Sequence, residues 1–123
     1  RTDAGRDENM LDTNLTHIET AEQFQEEIAK NGKVMVCCGR MGPMCIPVYG
    51  VMEQIESKYP DVAFRDMLFD SPVAMQTIRA LPEVRHFQGL PFTVYFRDGK
   101  VVAATSSIQS KAQVTAILDR ELA

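Results

Sequence analysis

The apolar run KVMVCC at residues 33–38 is the feature that most constrains how this chain can fold. It is rich in valine, a residue typical of strands. It also lacks the alternating polar positions of a strand with one face in water, and it therefore predicts a strand buried on both faces. We expect it to lie in the middle of a sheet that helices cover on both sides.

Helix and strand patterns alternate along the chain around this run. Residues 15–18 predict a short strand, and the capping-box pair Thr20 and Gln23 opens a first helix that ends at Asn31 and Gly32. The patterns that follow the central run predict a second helix with an apolar stripe from Ile46 to Tyr59, a strand at residues 62–69, and a third helix opened by Asp70, Ser71 and Pro72. Strands that alternate with helices favour parallel pairing.

The last third of the chain predicts a hairpin and a closing helix. Two strand-like runs, residues 92–96 and 100–105, flank an Asp98-Gly99 turn, which is a strong hairpin signal. A second capping box, Ser110 and Gln113, opens a final amphipathic helix. The predicted fold class is therefore α/β, with a central mixed β-sheet flanked by helices on both faces.

Length and composition narrow the class of protein. The 123 residues suit one domain, and the first residues show no apolar periodicity, so we predict a flexible arm at residues 1–14 and a single domain at residues 15–123. The net charge of −4 gives no basic surface for nucleic acid, and no apolar run approaches the ~20 residues of a membrane helix. We expect a monomeric cytoplasmic protein without a cofactor; a removed leader would leave no trace in this sequence.

Three cysteines, Cys37, Cys38 and Cys45, lie within nine positions of one another. Such a cluster is unlike the spread framework of a small disulfide-bonded secreted fold, and it indicates redox chemistry, metal binding or burial. Cys-x-x-Cys spacing is absent and two of the thiols are adjacent on one strand, so no metal site is predicted. His17 and His86 lie far from the cluster in sequence, and His86 is better explained as a surface or partly packed residue.

The order of these elements, with the turns between them, resembles thioredoxin. The second half of the chain carries the closer match. The family's Gly-Ile-Pro-Thr segment, hairpin and closing helix are similar to the run GLPFTVYFRDGKVVAATSSIQSKAQVTAILDREL. KVMVCC is similar to the family's central strand, and MEQIESKY is similar to the end of its long second helix. The resemblance covers roughly residues 15–123 and implies the thioredoxin fold and the thiol–disulfide redox class.

The resemblance also implies a cis peptide bond between Leu90 and Pro91 that faces the site loop. In relatives the backbone before this proline pairs with a substrate strand, so a protein or peptide is expected to dock in the groove there. The plainer interpretation is that Pro91 only starts an edge strand.

The family motif Trp-Cys-Gly-Pro-Cys has only a degenerate counterpart in RMGPMC, residues 40–45. If Gly42 and Pro43 match the family's Gly-Pro pair, Met41 and Met44 replace both cysteines. If the helix end MEQIESKY sets the register instead, Gly42 stands at the first cysteine position and Cys45 at the second. The attacking cysteine is absent in both registers.

Other parts of the family's reductase site are missing as well. Exchange by a dithiol needs one thiolate to attack and a second to resolve the mixed disulfide, and methionine has no proton to lose. The chain has no tryptophan, and Cys37 stands where the family keeps a buried aspartate that assists proton transfer. The resemblance therefore implies an atypical site.

Cys45 and Cys38 are the predicted catalytic residues. In the helix-based register, Cys45 lies near the N-terminus of the second helix, where the dipole favours a thiolate. Cys38 ends the adjoining strand, and a Cys38–Cys45 disulfide is conceivable if the Cβ separation allows it. Cys37 and Cys38 point to opposite faces of their strand, so only one of them is expected to reach Cys45. The alternative is that Cys37 and Cys38 are buried as small apolar side chains.

A second group of residues is predicted to bind substrate. Methionine is flexible and polarizable and suits adaptable contact surfaces, so exposed methionines beside the two prolines would form an apolar docking patch. The alternative is that both methionines fold inward and fill the space of the lost tryptophan. The predicted substrate-binding residues are Met41, Gly42, Pro43, Met44, Leu90 and Pro91.

Two functions of different classes follow. The first is a thioredoxin-like redox protein with weak or altered activity through Cys45. The second is a non-catalytic binding module or chaperone that uses the former substrate groove. An altered form of an active thioredoxin is a third interpretation that the sequence leaves open.

Overall fold

The computed structural model describes residues 11–85, 87 and 89–122. Its strands are β1 (Thr16–His17), β2 (Lys33–Gly39), β3 (Ala63–Leu68), β4 (Phe92–Arg97) and β5 (Lys100–Ser106). They form one sheet in the order β1-β3-β2-β4-β5. The β1–β3 and β2–β3 pairs are parallel, whereas the β2–β4 and β4–β5 pairs are antiparallel. The predicted mixed sheet is therefore confirmed.

The described residues form four α-helices around this sheet: α1 (Ala21–Lys30), α2 (Ile46–Ile55), α3 (Pro72–Gln76) and α4 (Lys111–Glu121). Short 3₁₀ turns extend α2 and α3, at Glu56–Lys58 and Ile78–Ala80. Two helices begin at the predicted caps. The Thr20 hydroxyl accepts the Gln23 N–H at 2.9 Å, and Ser110 and Gln113 cap each other reciprocally. Each cap satisfies N–H groups that the first helical turn leaves unpaired.

Strand β2 lies at the centre of the sheet and is buried on both faces, as its apolar sequence predicts. Its alternate side chains enter two separate cores. Met35 and Cys37 pack in one core with α2 and α4, whereas Val36 and Cys38 pack in the other with α1 and α3. We call these the α2/α4 core and the α1/α3 core. Helices therefore cover both faces of the sheet, and two adjacent cysteines enter different cores.

The β4–β5 hairpin turns at the predicted residues. Asp98 has a φ of 52° and Gly99 a φ of 82°. Positive φ at both central residues is the geometry of a two-residue type I′ turn, whose twist matches that of the strands, and glycine is favoured there because it has no Cβ.

Residues 1–10 of the predicted arm lie outside the described residues. Residues 11–14 contact the domain: Leu11 is buried in the α2/α4 core, and the Asn14 N–H donates to the Glu53 carboxylate at 2.7 Å. The arm boundary at residue 14 stays a prediction. No helix in the described part of the chain has the length and apolar character needed to span a membrane.

Candidate thiol site beside the Leu90–Pro91 turn

The site loop, residues 40–45, connects β2 to α2. The Gly42 carbonyl accepts the N–H groups of Cys45 and Ile46, both at 3.0 Å, and this turn directs the chain into the helix. Cys45 is the residue directly before the helix, and Pro47 lies in the first turn, where its missing N–H costs no helical bond. The structure therefore places Cys45 at the N-terminus of α2, with Gly42 three residues before it.

The Cys45 sulfur lies inside the protein and accepts a backbone hydrogen bond. The residue is 2% exposed, and the Arg40 N–H donates to Sγ at 3.3 Å. The Tyr49 hydroxyl donates to the Arg40 carbonyl at 3.1 Å, which ties the start of the loop to the helix. The Cys45 sulfur is therefore fixed between the backbone of the loop and the start of α2.

Gly39 leaves open a space that Cys45, Pro91 and Tyr49 all border. A Cβ at this position would lie 2.8 Å from Cys45 Sγ, 2.9 Å from Pro91 Cβ and 2.9 Å from the Tyr49 hydroxyl. The Leu90–Pro91 peptide bond is cis. The missing side chain of Gly39 therefore brings Cys45, Pro91 and Tyr49 together over the end of β2, and the sequence analysis did not single out this glycine.

Cys38 and Cys45 lie on opposite faces of the sheet. Cys38 is in the α1/α3 core, whereas Cys37 and Cys45 share the α2/α4 core. All three are buried free thiols. Burial raises the pKa of Cys37 and that of Cys38 well above the usual thiol range, because a thiolate is costly in an apolar interior. The structure therefore brings Cys45 together with Pro91 and places Cys38 across the sheet from it.

A buried carboxylate, Asp66 of β3, lies beside Cys37 in the sheet. Cys37 pairs with Asp66 on one side and with Thr93 on the other. Asp66 also pairs with His17 of the edge strand β1, and Thr93 pairs with Thr105 of the opposite edge strand β5. Registered partners point to the same face, so a polar row crosses all five strands beneath α2 and α4. The sequence analysis missed this row; the signal was a lone aspartate in the strand VAFRDMLF.

Two side chains from the start of the chain hold Asp66. The Thr13 hydroxyl donates to Oδ2 at 2.5 Å, and His17 Nδ1 lies 2.5 Å from Oδ1. Asp66 is 0% exposed, and burial raises the pKa of its carboxyl above the ordinary range although both hydrogen bonds oppose that rise. Asp66 therefore brings a buried carboxyl group to the position registered with Cys37 on the next strand.

The loop methionines point into solvent. Met41 is 42% exposed and Met44 46%, and Ile46, at the start of α2, is 47% exposed. We call these three residues the loop surface.

The other predicted binding residues are less exposed or lie in the turn. Pro91 is buried and Leu90 is half-buried, whereas Gly42 and Pro43 lie in the turn of the loop. The Asp12 N–H donates to Met41 Sδ at 3.4 Å, so the segment before β1 reaches the edge of this surface.

Metal ligands do not cluster anywhere in the described residues. His17 is bonded to Asp66, and His86 lies outside the residues that the structure describes. The described site consists of a buried thiol, Cys45, beside the exposed apolar loop surface.

Comparison with known proteins identifies the fold. No family model and no curated protein matches the chain. Solved structures do: a thioredoxin from Malassezia sympodialis matches with a TM-score of 0.70 at 16% identity, over 91% of this chain and 94% of that one. Mitochondrial thioredoxin 3 from Saccharomyces cerevisiae matches with a TM-score of 0.69 at 21% identity, over 85% and 94% of the two chains. A thioredoxin from Plasmodium falciparum also has a TM-score of 0.69, at 14% identity, over 87% and 99%. The chain therefore has the thioredoxin fold, as its resemblance to that family implied.

Proposed function

We propose that this protein is a thiol–disulfide redox protein of the thioredoxin-like class that reacts through the single thiol of Cys45 with a polypeptide bound beside Pro91. The supporting observation is the location of the sulfur: it lies at the N-terminus of α2, accepts the Arg40 N–H and borders the same small space over Gly39 as Pro91 does. Free buried thiols are typical of a reducing compartment such as the cytoplasm.

The proposed reaction uses one thiol of this chain and a disulfide of the partner. Cys45 loses its proton to water, its thiolate attacks one sulfur of the partner disulfide, and the other partner sulfur leaves as a thiolate. The product is a mixed disulfide between Cys45 and the partner. A second thiol from outside this chain, such as a low-molecular-weight thiol, attacks that mixed disulfide and restores Cys45.

Burial explains why this activity should be slow. Cys45 is 2% exposed, so the residues that cover Sγ must move before a partner sulfur can reach it. Exchange rates depend on access as well as on the fraction of thiolate. A dithiol protein with an exposed attacking cysteine has no such requirement, and we expect weaker activity here.

Adduct formation with glutathione disulfide tests the proposal. We expect the native protein to gain one glutathionyl group, located on Cys45 by peptide mapping, and Cys45→Ser to gain none under the same conditions. Cys38→Ser is the matched control and should form the adduct at the wild-type rate, because Cys38 is buried in the other core. An adduct on Cys38, or no adduct in the native protein, would contradict the proposal.

A second candidate function is binding without chemistry, as a module or chaperone. The loop surface favours it, because Met41, Met44 and Ile46 are all more than two-fifths exposed beside the Leu90–Pro91 groove. Exposed apolar patches often mark interaction sites, and methionine adapts to varied partners.

Suppression of aggregation of a heat-unfolded model enzyme, followed by light scattering, separates the two functions. Binding through the loop surface predicts that Met44→Asp abolishes suppression and that Cys45→Ser retains it. Met75→Asp is a matched control, because Met75 is 55% exposed and belongs to α3, outside the site loop and the loop surface. Equal suppression by Met44→Asp and the wild type would reject the binding function.

A further inference from the structure

A cavity of about 440 Å³ opens next to the site loop on the α1/α3 side of the sheet. Arg40, the first residue of the loop, and Leu90, which precedes Pro91, both line it. The cavity therefore lies next to the Leu90–Pro91 turn, beside which we propose that a polypeptide docks, and no function described above uses it.

Three arginines line this cavity: Arg40, Arg79 and Arg85. The net charge of the chain is −4, so the cavity is a local basic site on an acidic protein. Such a site attracts a ligand of opposite charge and disfavours a basic one.

The aromatic ring of Phe69 holds two of these guanidinium groups in place. Arg79 Cζ lies 3.9 Å from the ring centroid and Arg40 Cζ lies 5.3 Å from it, and Arg79 also donates to the Phe69 carbonyl at 3.2 Å. Phe87 and Phe92 form further walls of the cavity. Pre-oriented guanidinium groups lose less entropy when they bind a carboxylate.

A carboxylate already binds one of the three arginines. Asp70 accepts Arg40 Nε at 2.7 Å and a second guanidinium nitrogen at 2.8 Å, which is the two-bond geometry that arginine and carboxylates favour. Within the described residues, neither Arg79 nor Arg85 forms an ion pair. Two guanidinium groups therefore retain capacity for an acidic ligand.

We propose that this cavity binds an acidic side chain of the docked polypeptide, so that the protein prefers segments in which a glutamate or aspartate accompanies an apolar residue. The carboxylate contacts Arg79 and Arg85, and the apolar part contacts the phenylalanine walls. This inference rests on the proposed docking beside Pro91, and it adds the class of segment that docks.

The test measures binding of two labelled peptides by fluorescence anisotropy. The peptides are identical except that one carries glutamates next to a phenylalanine and the other carries glutamines. All proteins carry Cys45→Ser, so the assay reports binding even if the proposed thiol chemistry is wrong. We expect the acidic peptide to bind about tenfold more tightly, as hydrogen bonds to charged groups imply, and to lose this advantage at high salt.

Arg85→Glu is the main variant, because Arg85 is exposed and folding should not depend on it. We expect it to weaken binding of the acidic peptide about tenfold and to leave the glutamine peptide unchanged. Arg120→Glu is the matched control, since Arg120 is exposed on α4, on the opposite face of the sheet. It should bind both peptides as the parent does.

Three results would overturn the inference. Equal binding of the two peptides would show that the cavity does not select acidic segments. Unchanged binding by Arg85→Glu would place the acid elsewhere. Competition by inorganic phosphate or free glutamate as strong as that by the peptide itself would show a small-anion site instead.

Discussion

The packing around Gly39 shows how one missing side chain shapes the site. Cys45 Sγ, Pro91 Cβ and the Tyr49 hydroxyl all occupy the space that a Cβ at residue 39 would need. Each of these three residues is buried, so none can move freely into solvent. Close-packed interiors transmit such an intrusion to the backbone instead of absorbing it.

We expect Gly39→Ala to lower the free energy of unfolding by about 1–3 kcal/mol, as overpacking in a core does. Urea unfolding of the variant and the wild type measures the difference. Gly42→Ala in the same loop is the control, because nothing lies within 4 Å of its added Cβ, and its change should stay within about 0.5 kcal/mol. Equal stability of Gly39→Ala and the wild type would show that the loop can move aside at little cost.

At the scale of elements, Asp66 joins the short edge strand β1 to the sheet. Only two residues of β1 pair with β3, and the side chains of Thr13 and His17 add bonds to the same carboxylate. Glu53 of α2 lies close enough to raise the pKa of Asp66 further, after the larger effect of burial. The attachment of residues 11–17 therefore depends on the protonation of one buried group.

The sign of this pH dependence follows from the raised pKa of Asp66. The folded protein holds the proton more tightly than the unfolded chain, so the contribution of Asp66 is fully present below the ordinary carboxyl pKa of 3.8 and is lost as the pH rises through the folded value. We expect the free energy of unfolding of the wild type to be higher than that of Asp66→Asn. This difference should be largest at low pH and should decrease toward neutral pH. Urea unfolding at several pH values measures it.

Asp70→Asn gives the opposite trend and serves as a comparison. The Arg40 guanidinium lowers the pKa of the Asp70 carboxyl, so its contribution is present above the ordinary pKa and is lost as the pH falls. Both groups of this pair are more than half exposed, and the effect should be small. A difference between the wild type and Asp66→Asn that grows toward neutral pH would contradict the argument for Asp66.

Element boundaries show what the sequence could not predict. Caps and turns at Thr20, Ser110 and Asp98-Gly99 have local signals, and the structure forms all three. The capping box is reciprocal only at Ser110, because the Gln23 side chain accepts the Glu19 N–H instead of the Thr20 N–H. The third helix ends at Gln76, because Thr77 leaves helical geometry with φ −120° and ψ −91°. Thr77 is buried and its hydroxyl lies 4.0 Å from Met67 Sδ of β3, ten residues earlier, and a local residue pattern does not contain such a contact.

The site was predicted less completely than the fold, for a similar reason. Cys45 was identified by its position before a helix, which is a local property. Gly39 and Asp66 matter because of residues far from them in sequence: Pro91 for Gly39, and Thr13, His17 and Cys37 for Asp66. A pattern read along one chain contains no information about such contacts.

At the scale of the whole molecule, buried ionisable groups make the fold sensitive to alkali. Burial raises the pKa values of Cys37, Cys38, Tyr49 and Tyr95. Above the ordinary thiol pKa of 9.0 the unfolded chain releases protons that the folded protein keeps. Each such group therefore favours folding at lower pH, and its contribution is lost as the pH rises.

We expect the free energy of unfolding to fall above pH 9.0 by about 1.4 kcal/mol per pH unit for each such thiol. Cys38→Ala should reduce this slope, whatever its effect on stability at neutral pH. Urea unfolding at about pH 7, 9 and 10 measures both slopes. Identical slopes for the two proteins would show that Cys38 does not titrate on unfolding.

The division of Cys37 and Cys38 between two cores has a consequence for measuring motion in this protein. The two cysteines are neighbours along the chain, but different pairs of helices cover them. A thiol reagent can therefore modify Cys37 only when α2 and α4 separate from the sheet, and Cys38 only when α1 and α3 do. The labelling rates of the two sulfurs, resolved by mass spectrometry, would measure how often each layer of helices opens. Two adjacent residues of one strand would report on the two faces of the sheet separately.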